Sequence, residues 1–129
     1  MFKKIFIWAL RFVVAIILLQ TLYFKFTGAP ESVYIFETLG IEPYGRIGSG
    51  IAELITSILI LIPRTTLLGA ILGLGIMIGA ILSHLTKLGI EVNNDGGTLF
   101  TMAIIVFISC VVLIYVNKDK IPALLKFKI

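Results

Sequence analysis

Glu53 interrupts the apolar run from Ile47 to Ile62, and three basic side chains, Lys25, Arg46 and His84, stand near the ends of such runs. An ionised carboxylate near the middle of a bilayer costs roughly 2.5 to 3.5 kcal/mol on insertion scales, so it faces protein and takes a partner. Two kinds of chemistry follow from these residue types. A carboxylate beside a histidine that titrates near neutral pH can exchange protons, and a carboxylate with a lysine or arginine can grip the polar end of an apolar ligand. The structural alternative is a buried ion pair that holds the helices in register.

Arg46, Gly50, Glu53 and Ser57 recur at steps of four, three and four, which places them on one helix face. Ile51, Leu54, Ile58 and Leu61 lie opposite and can meet lipid, so Glu53 is expected to point inward. At a rise of ~1.5 Å per residue Glu53 lies roughly 12 Å below the outer end of its helix, whereas Lys25 and His84 lie within about a turn of the outer ends of theirs. Helical side chains lean toward the N-terminus. Glu53 therefore leans outward while Lys25 and His84 lean inward, and the three tips converge where their helices are neighbours. Gly73, Met77, Ala80, His84 and Lys87 form one face of the third long helix, and Gly75, Gly79 and Ser83 form a second row of small residues suited to close helix packing. Arg11 lies in the other half of the first helix, where its long stem can snorkel to the interface. Gln20 and Thr21 can hydrogen-bond between helices.

The elements that must position these groups are membrane helices. Of 129 residues 59% are hydrophobic and 14% charged, with a mean hydropathy of +1.11, against about 25% charged in soluble domains. Four runs approach the length needed to cross a bilayer, 5–26, 44–62, 67–85 and 98–116. The fold class expected is all-α, a four-transmembrane-helix bundle forming a single integral membrane domain over residues 1–129. Pro63 ends the second span, and the turn that follows is short enough to make spans two and three antiparallel neighbours. The run from Ile5 is too long for a signal-peptide core and is read as a helix. In the connection 27–43, Val33, Phe36 and Leu39 recur near helical spacing, with Pro30 suited to a first turn and Gly40 to a stop. A short amphipathic outer helix over 30–39 is expected, either packing over the loop end of the bundle or covering an outward-facing pocket. Asn93-Asn94-Asp95-Gly96-Gly97 marks an exposed loop.

The same sequence excludes several function classes. The net charge of +4 comes from basic residues flanking apolar runs, so it reflects membrane contact and not nucleic acid. The single cysteine, Cys110, allows neither an intrachain disulfide nor dithiol chemistry. One histidine and one cysteine at unrelated positions give no metal-ligand spacing, so no metal site is expected. No nucleophilic triad, phosphate loop or dinucleotide fingerprint stands in a supporting context. Nor is there an inverted repeat or broken helix of the transporter kind.

Five strings in order, Lys25-Phe26-Thr27-Gly28, Phe36-Glu37-Thr38-Leu39-Gly40-Ile41, Gly50-Ile51-Ala52-Glu53, Pro63-Arg64 and Gly79-Ala80-Ile81-Leu82-Ser83-His84, resemble the DoxX-like family of small four-helix membrane proteins over roughly residues 5–116. The resemblance implies a small subunit of a membrane redox system, since the family includes a membrane subunit of a thiosulfate:quinone oxidoreductase and relatives tied to thiol and oxidative-stress systems. The family's recurrent lysine, glutamate and histidine match Lys25, Glu53 and His84. With no cysteine pair and no haem, flavin or iron–sulfur ligation evident, catalysis is expected only as part of an oxidoreductase complex, with no covalently bound cofactor. A quinone is the ligand implied, held by Lys25 or His84 at a carbonyl while Glu53 tunes or exchanges its proton. A redox protein or a second copy of the chain is the partner implied. The rival expectation is a non-enzymatic membrane scaffold whose buried charges are structural.

With four spans, both termini share a side with the Pro63–Thr66 turn. That side carries Lys3, Lys4, Arg64, Lys118, Lys120, Lys126 and Lys128 against Asp119 alone. The other side carries Lys25, Arg46 and Lys87 against Glu31, Glu37, Glu42, Glu91 and Asp95. The positive-inside rule then puts both termini in the cytoplasm, in a membrane expected to be a bacterial inner (plasma) membrane. A topology reporter fused after Ile129 should be active in the cytoplasm; activity only outside it would reverse the orientation.

Overall fold

The computed structural model describes residues 2–90 and 96–120. The predicted loop at 91–95 and the basic tail from 121 lie outside the described residues. Five α-helices follow one another: α1 (Phe2–Thr27), α2 (Pro30–Thr38), α3 (Tyr44–Leu61), α4 (Thr66–Ser83) and α5 (Thr98–Val116). All but α2 are long and apolar enough to cross a membrane. The architecture is thus the expected all-α membrane-spanning bundle with a short extra helix between its first two long helices. Its exterior is apolar, with Ile5, Phe12, Ile16, Ile51, Ile58, Leu82 and Ile108 among the exposed side chains. In water such a surface would aggregate; in lipid it costs nothing.

α1 packs against α3 and α5, and α4 packs against the same two helices. The bundle is therefore a ring in the order α1, α3, α4, α5, every neighbouring pair antiparallel, with α1 and α4 on the diagonal. Val14, Leu18, Ile60, Ala70, Met77, Val106, Cys110 and Leu113 form the packed core. Gly69 and Gly73 allow close approach around it: a Cβ at Gly69 would lie 2.8 Å from the Ile60 backbone nitrogen, and one at Gly73 2.9 Å from Cys110 Sγ and 3.3 Å from Thr56 Cγ2. The other small-residue row behaves differently. Gly75 and Gly79 are exposed, with nothing within 4 Å of where a Cβ would stand, so this row packs no helix of this chain.

Local sequence explains the turns. Ile62 is extended (ψ 119°), as a residue preceding proline must be, and α3 ends there. The Thr65 and Thr66 hydroxyls donate to the carbonyls of Leu59 and Ile60 at 2.7 and 3.0 Å, satisfying the acceptors that a helix end leaves open. At the opposite end of the bundle α2 starts on Pro30 and stops at Gly40, whose φ of +78° suits glycine. There the amides of Gly40 and Ile41 donate to the carbonyls of Glu37 and Phe36, both at 3.0 Å, in a Schellman arrangement. This clean stop lets the chain turn straight into α3. α2 lies across the bundle end against α1, α3 and the turn that follows α4.

Candidate functional site

Lys25 lies in the last turn of α1, and Glu53 lies just over two turns into α3. Because these helices are antiparallel neighbours, the two residues meet at one level, and Lys25 Nζ donates to Glu53 Oε1 in a salt bridge. Glu53 is only 4% exposed. The Thr21 hydroxyl, one turn before Lys25, approaches the same carboxylate oxygen at 3.4 Å while donating to the Leu18 carbonyl at 2.7 Å. Phe36 of α2 covers the ammonium, its ring centroid 5.9 Å from Nζ. On α3 the buried face comprises Gly50, Glu53, Thr56, Ser57 and Ile60, so the polar stripe expected from spacing does face inward. Gly50 is needed at its place, since a Cβ there would stand 2.8 Å from the Phe26 ring.

Arg46 belongs to a different contact. Its Nε donates to Glu42 Oε1 at 2.8 Å, and Nη1 donates to the Lys25 carbonyl. A guanidinium at the C-terminal carbonyls of α1 satisfies an orphan acceptor and opposes the negative end of the helix dipole. Arg46 thus fixes the backbone of Lys25 against α3 while the Lys25 side chain reaches Glu53. It does not line the cavity described below.

His84 is buried, at 6% exposure, where α4 gives way to a single π-helical turn, His84–Leu88. Its Nδ1 lies 3.0 Å from the Gly89 carbonyl, and its ring meets Phe100 of α5 edge to face at 5.5 Å. The structure therefore joins Lys25 to Glu53 directly, whereas the described hydrogen bond of His84 runs to its own chain turn. What the three residues share is a cavity of about 680 Å³ in the α2 half of the bundle, lined by all of them. Leu18, Met77 and Ala103 belong both to its lining and to the buried residues of the packed core, so the core is its floor. Ser32 and Phe36 of α2 line it as well. The helical spacing of α2 flagged Phe36; nothing in the sequence singled out Ser32. The wall is apolar over most of its area, with Thr21, Ser49, Ser83 and Thr98 adding polar side chains from four of the five helices.

Two other polar expectations resolve separately. Gln20 Nε2 reaches Met102 Sδ of α5 at 3.5 Å, an interhelical contact of the kind expected. Arg11 is 6% exposed within the bundle. Its guanidinium carbon lies 4.3 Å from the Trp8 ring centroid, and Nε has no hydrogen-bond partner among the described residues. The indole face substitutes for water at that charge. Among the described residues no group of three or more His, Cys, Asp or Glu comes together in a way that could hold a metal ion.

The fold and site define an integral membrane helix bundle with a charged pair on the wall of a half-open, mainly apolar cavity. A family model described as the DoxX-like family matches residues 9–113, and the chain belongs to that family, a group broadly linked to membrane redox systems. No curated protein and no solved structure shows a significant match to the chain.

The pair itself generates a prediction. Removing one partner of a buried ion pair typically costs about 3–5 kcal/mol, because the other charge is left stranded, whereas removing both is often nearly neutral. Lys25→Met should therefore lower the unfolding free energy in detergent micelles by about that amount, and Lys25→Met combined with Glu53→Gln should recover at least half of the loss. Equal losses in the single and double variants would contradict the pairing.

Proposed function

We propose that the cavity binds an apolar, oxygen-bearing ligand of the quinone type, and that the chain serves as a small subunit of a quinone-linked membrane redox system. In this reading both termini are cytoplasmic and the α2 end faces outward from a bacterial inner membrane. The observation that carries it is the placement of a closed Lys25–Glu53 pair on the wall of a cavity of about 680 Å³, not in solid packing. That volume falls within the range of about 300–1,000 Å³ typical of small-molecule sites. An ammonium that spends one N–H on a carboxylate keeps others for a ligand oxygen, and a charge-assisted hydrogen bond in so apolar a setting is strong. Glu53 would offset the lysine charge and exchange a proton with the ligand. Electron donor and acceptor would come from a partner protein, since this chain offers none of the usual ligation for a redox centre.

A scaffold reading has its own support. The pair, with Thr21 beside it and Arg46 on the Lys25 carbonyl, already joins α1 to α3 without a ligand. The two readings part on ligand contact. A photoreactive quinone analogue applied to membranes should label α1 and α4 around the cavity, with labelling competed by excess quinone. Lys25→Ala and Glu53→Gln should each reduce labelling about tenfold, the equivalent of one charge-assisted hydrogen bond of ~1.5 kcal/mol. Labelling indifferent to both substitutions would sink the ligand site and favour the scaffold.

A further inference from the structure

His84 is placed by three independent features. It terminates the α-helical part of α4 and opens a π-helical turn, a local widening that frequently marks functional positions. The Phe100 ring, inclined at 73° and 5.5 Å away, limits its rotation. Nδ1 stands 3.0 Å from the Gly89 carbonyl oxygen. A carbonyl oxygen only accepts, so in this contact Nδ1 must carry a hydrogen. Gly89 adopts φ +80° and ψ 169°, a backbone region essentially reserved to glycine. The turn that aims this carbonyl back at the ring is thus written into residue 89.

A neutral imidazole protonated at Nδ1 has a bare lone pair at Nε2, which makes that nitrogen an acceptor. Such a ring cannot donate to a ligand carbonyl. Lys25, an obligate donor, can. The two side chains come from α1 and α4, the diagonal helices, and both line the same cavity. We infer that His84, its tautomer fixed by the Gly89 carbonyl, presents unprotonated Nε2 to the cavity as a hydrogen-bond acceptor. The cavity is thereby selective for a ligand bearing a hydroxyl toward α4 and an acceptor oxygen toward Lys25. Within the ligand reading proposed above, on which the second half of this statement rests, the site favours a hydroxylated, reduced ring over its fully carbonylic or fully alkylated counterparts. The selectivity comes from the match of partners: a ligand hydroxyl would donate to Nε2 where a carbonyl or ether oxygen could not, and a polar atom left unpaired against a bound ligand is costly.

The sequence contains one histidine, so nitrogen-15 labelling of histidine gives a spectrum of His84 alone. In lipid bilayers at mildly alkaline pH, the signal should show protonated Nδ1 and bare Nε2. Trimethylhydroquinone should move the Nε2 resonance and leave Nδ1 in place, whereas its dimethyl ether should leave both in place. Gly89→Ala should shift the ring toward the tautomer protonated at Nε2; the wild-type spectrum decides the point should that variant not fold. A wild-type ring protonated at Nε2, or trimethylhydroquinone binding with Nε2 unmoved, would overturn the inference. Failure of both compounds to bind would instead count against the ligand site, and the tautomer would still be read directly.

Discussion

A carboxylate and an ammonium in hydrocarbon must meet, and that requirement organises this protein. An ionised Glu53 more than two turns into α3 is costly without a partner, and the pair with Lys25 favours the register of α1 against α3 that brings the two side chains to the same level. Arg46 reinforces that register from the backbone side by donating to the Lys25 carbonyl. The strength of such a pair depends on exclusion of water, and α2 contributes to that through Phe36, which is buried over the ammonium. The short helix thus helps to shield a pair that the long ones bring together.

Packing then divides the bundle into two halves. Away from α2 the interior is filled by Val14, Ile60, Ala70, Val106, Cys110 and Leu113, with Gly73 letting helices approach closely. Toward α2 the side chains stop short of filling the space, and the cavity lies there. A bundle built only for stability would have little reason to leave that volume beside its most costly pair of charges. The four antiparallel neighbours in the ring put α1 opposite α4, so Lys25 and His84 approach the cavity from opposed helices while Glu53 approaches from the helix between them.

Much of this was legible in the sequence because hydrocarbon leaves so few options. The four spans, the short helix opened by Pro30 and the inward face of α3 all follow from apolar periodicity and turn residues. The meeting of Lys25 and Glu53 followed from helix rise and the N-terminal lean of side chains. The remainder turned on facts with no sequence period. Helix order around the ring decides which charges are neighbours, and it is set by packing over the whole bundle; this is why three candidate charges resolved into one pair and a separate histidine. The π turn and the carbonyl of Gly89 redirected His84 in a way that α-helical geometry could not anticipate. Arg11 lies over Trp8, a neighbour one turn nearer the helix end whose part was visible only once the rotamers were known. Gly75 and Gly79 looked like a packing row, yet both have open space where a Cβ would stand, and Gly79, like Ser83, lies on the cavity wall.

The bundle rests on Glu53 and Lys25 forming an ionised pair at the wall of the cavity. Solid-state NMR on protein reconstituted in lipid, with labels at Lys25 Nζ and the Glu53 carboxyl carbon, measures their separation and the ionisation of the carboxyl group together. The account predicts a deprotonated carboxylate within about 4 Å of the ammonium nitrogen. A protonated Glu53, or a separation beyond about 6 Å, would contradict it.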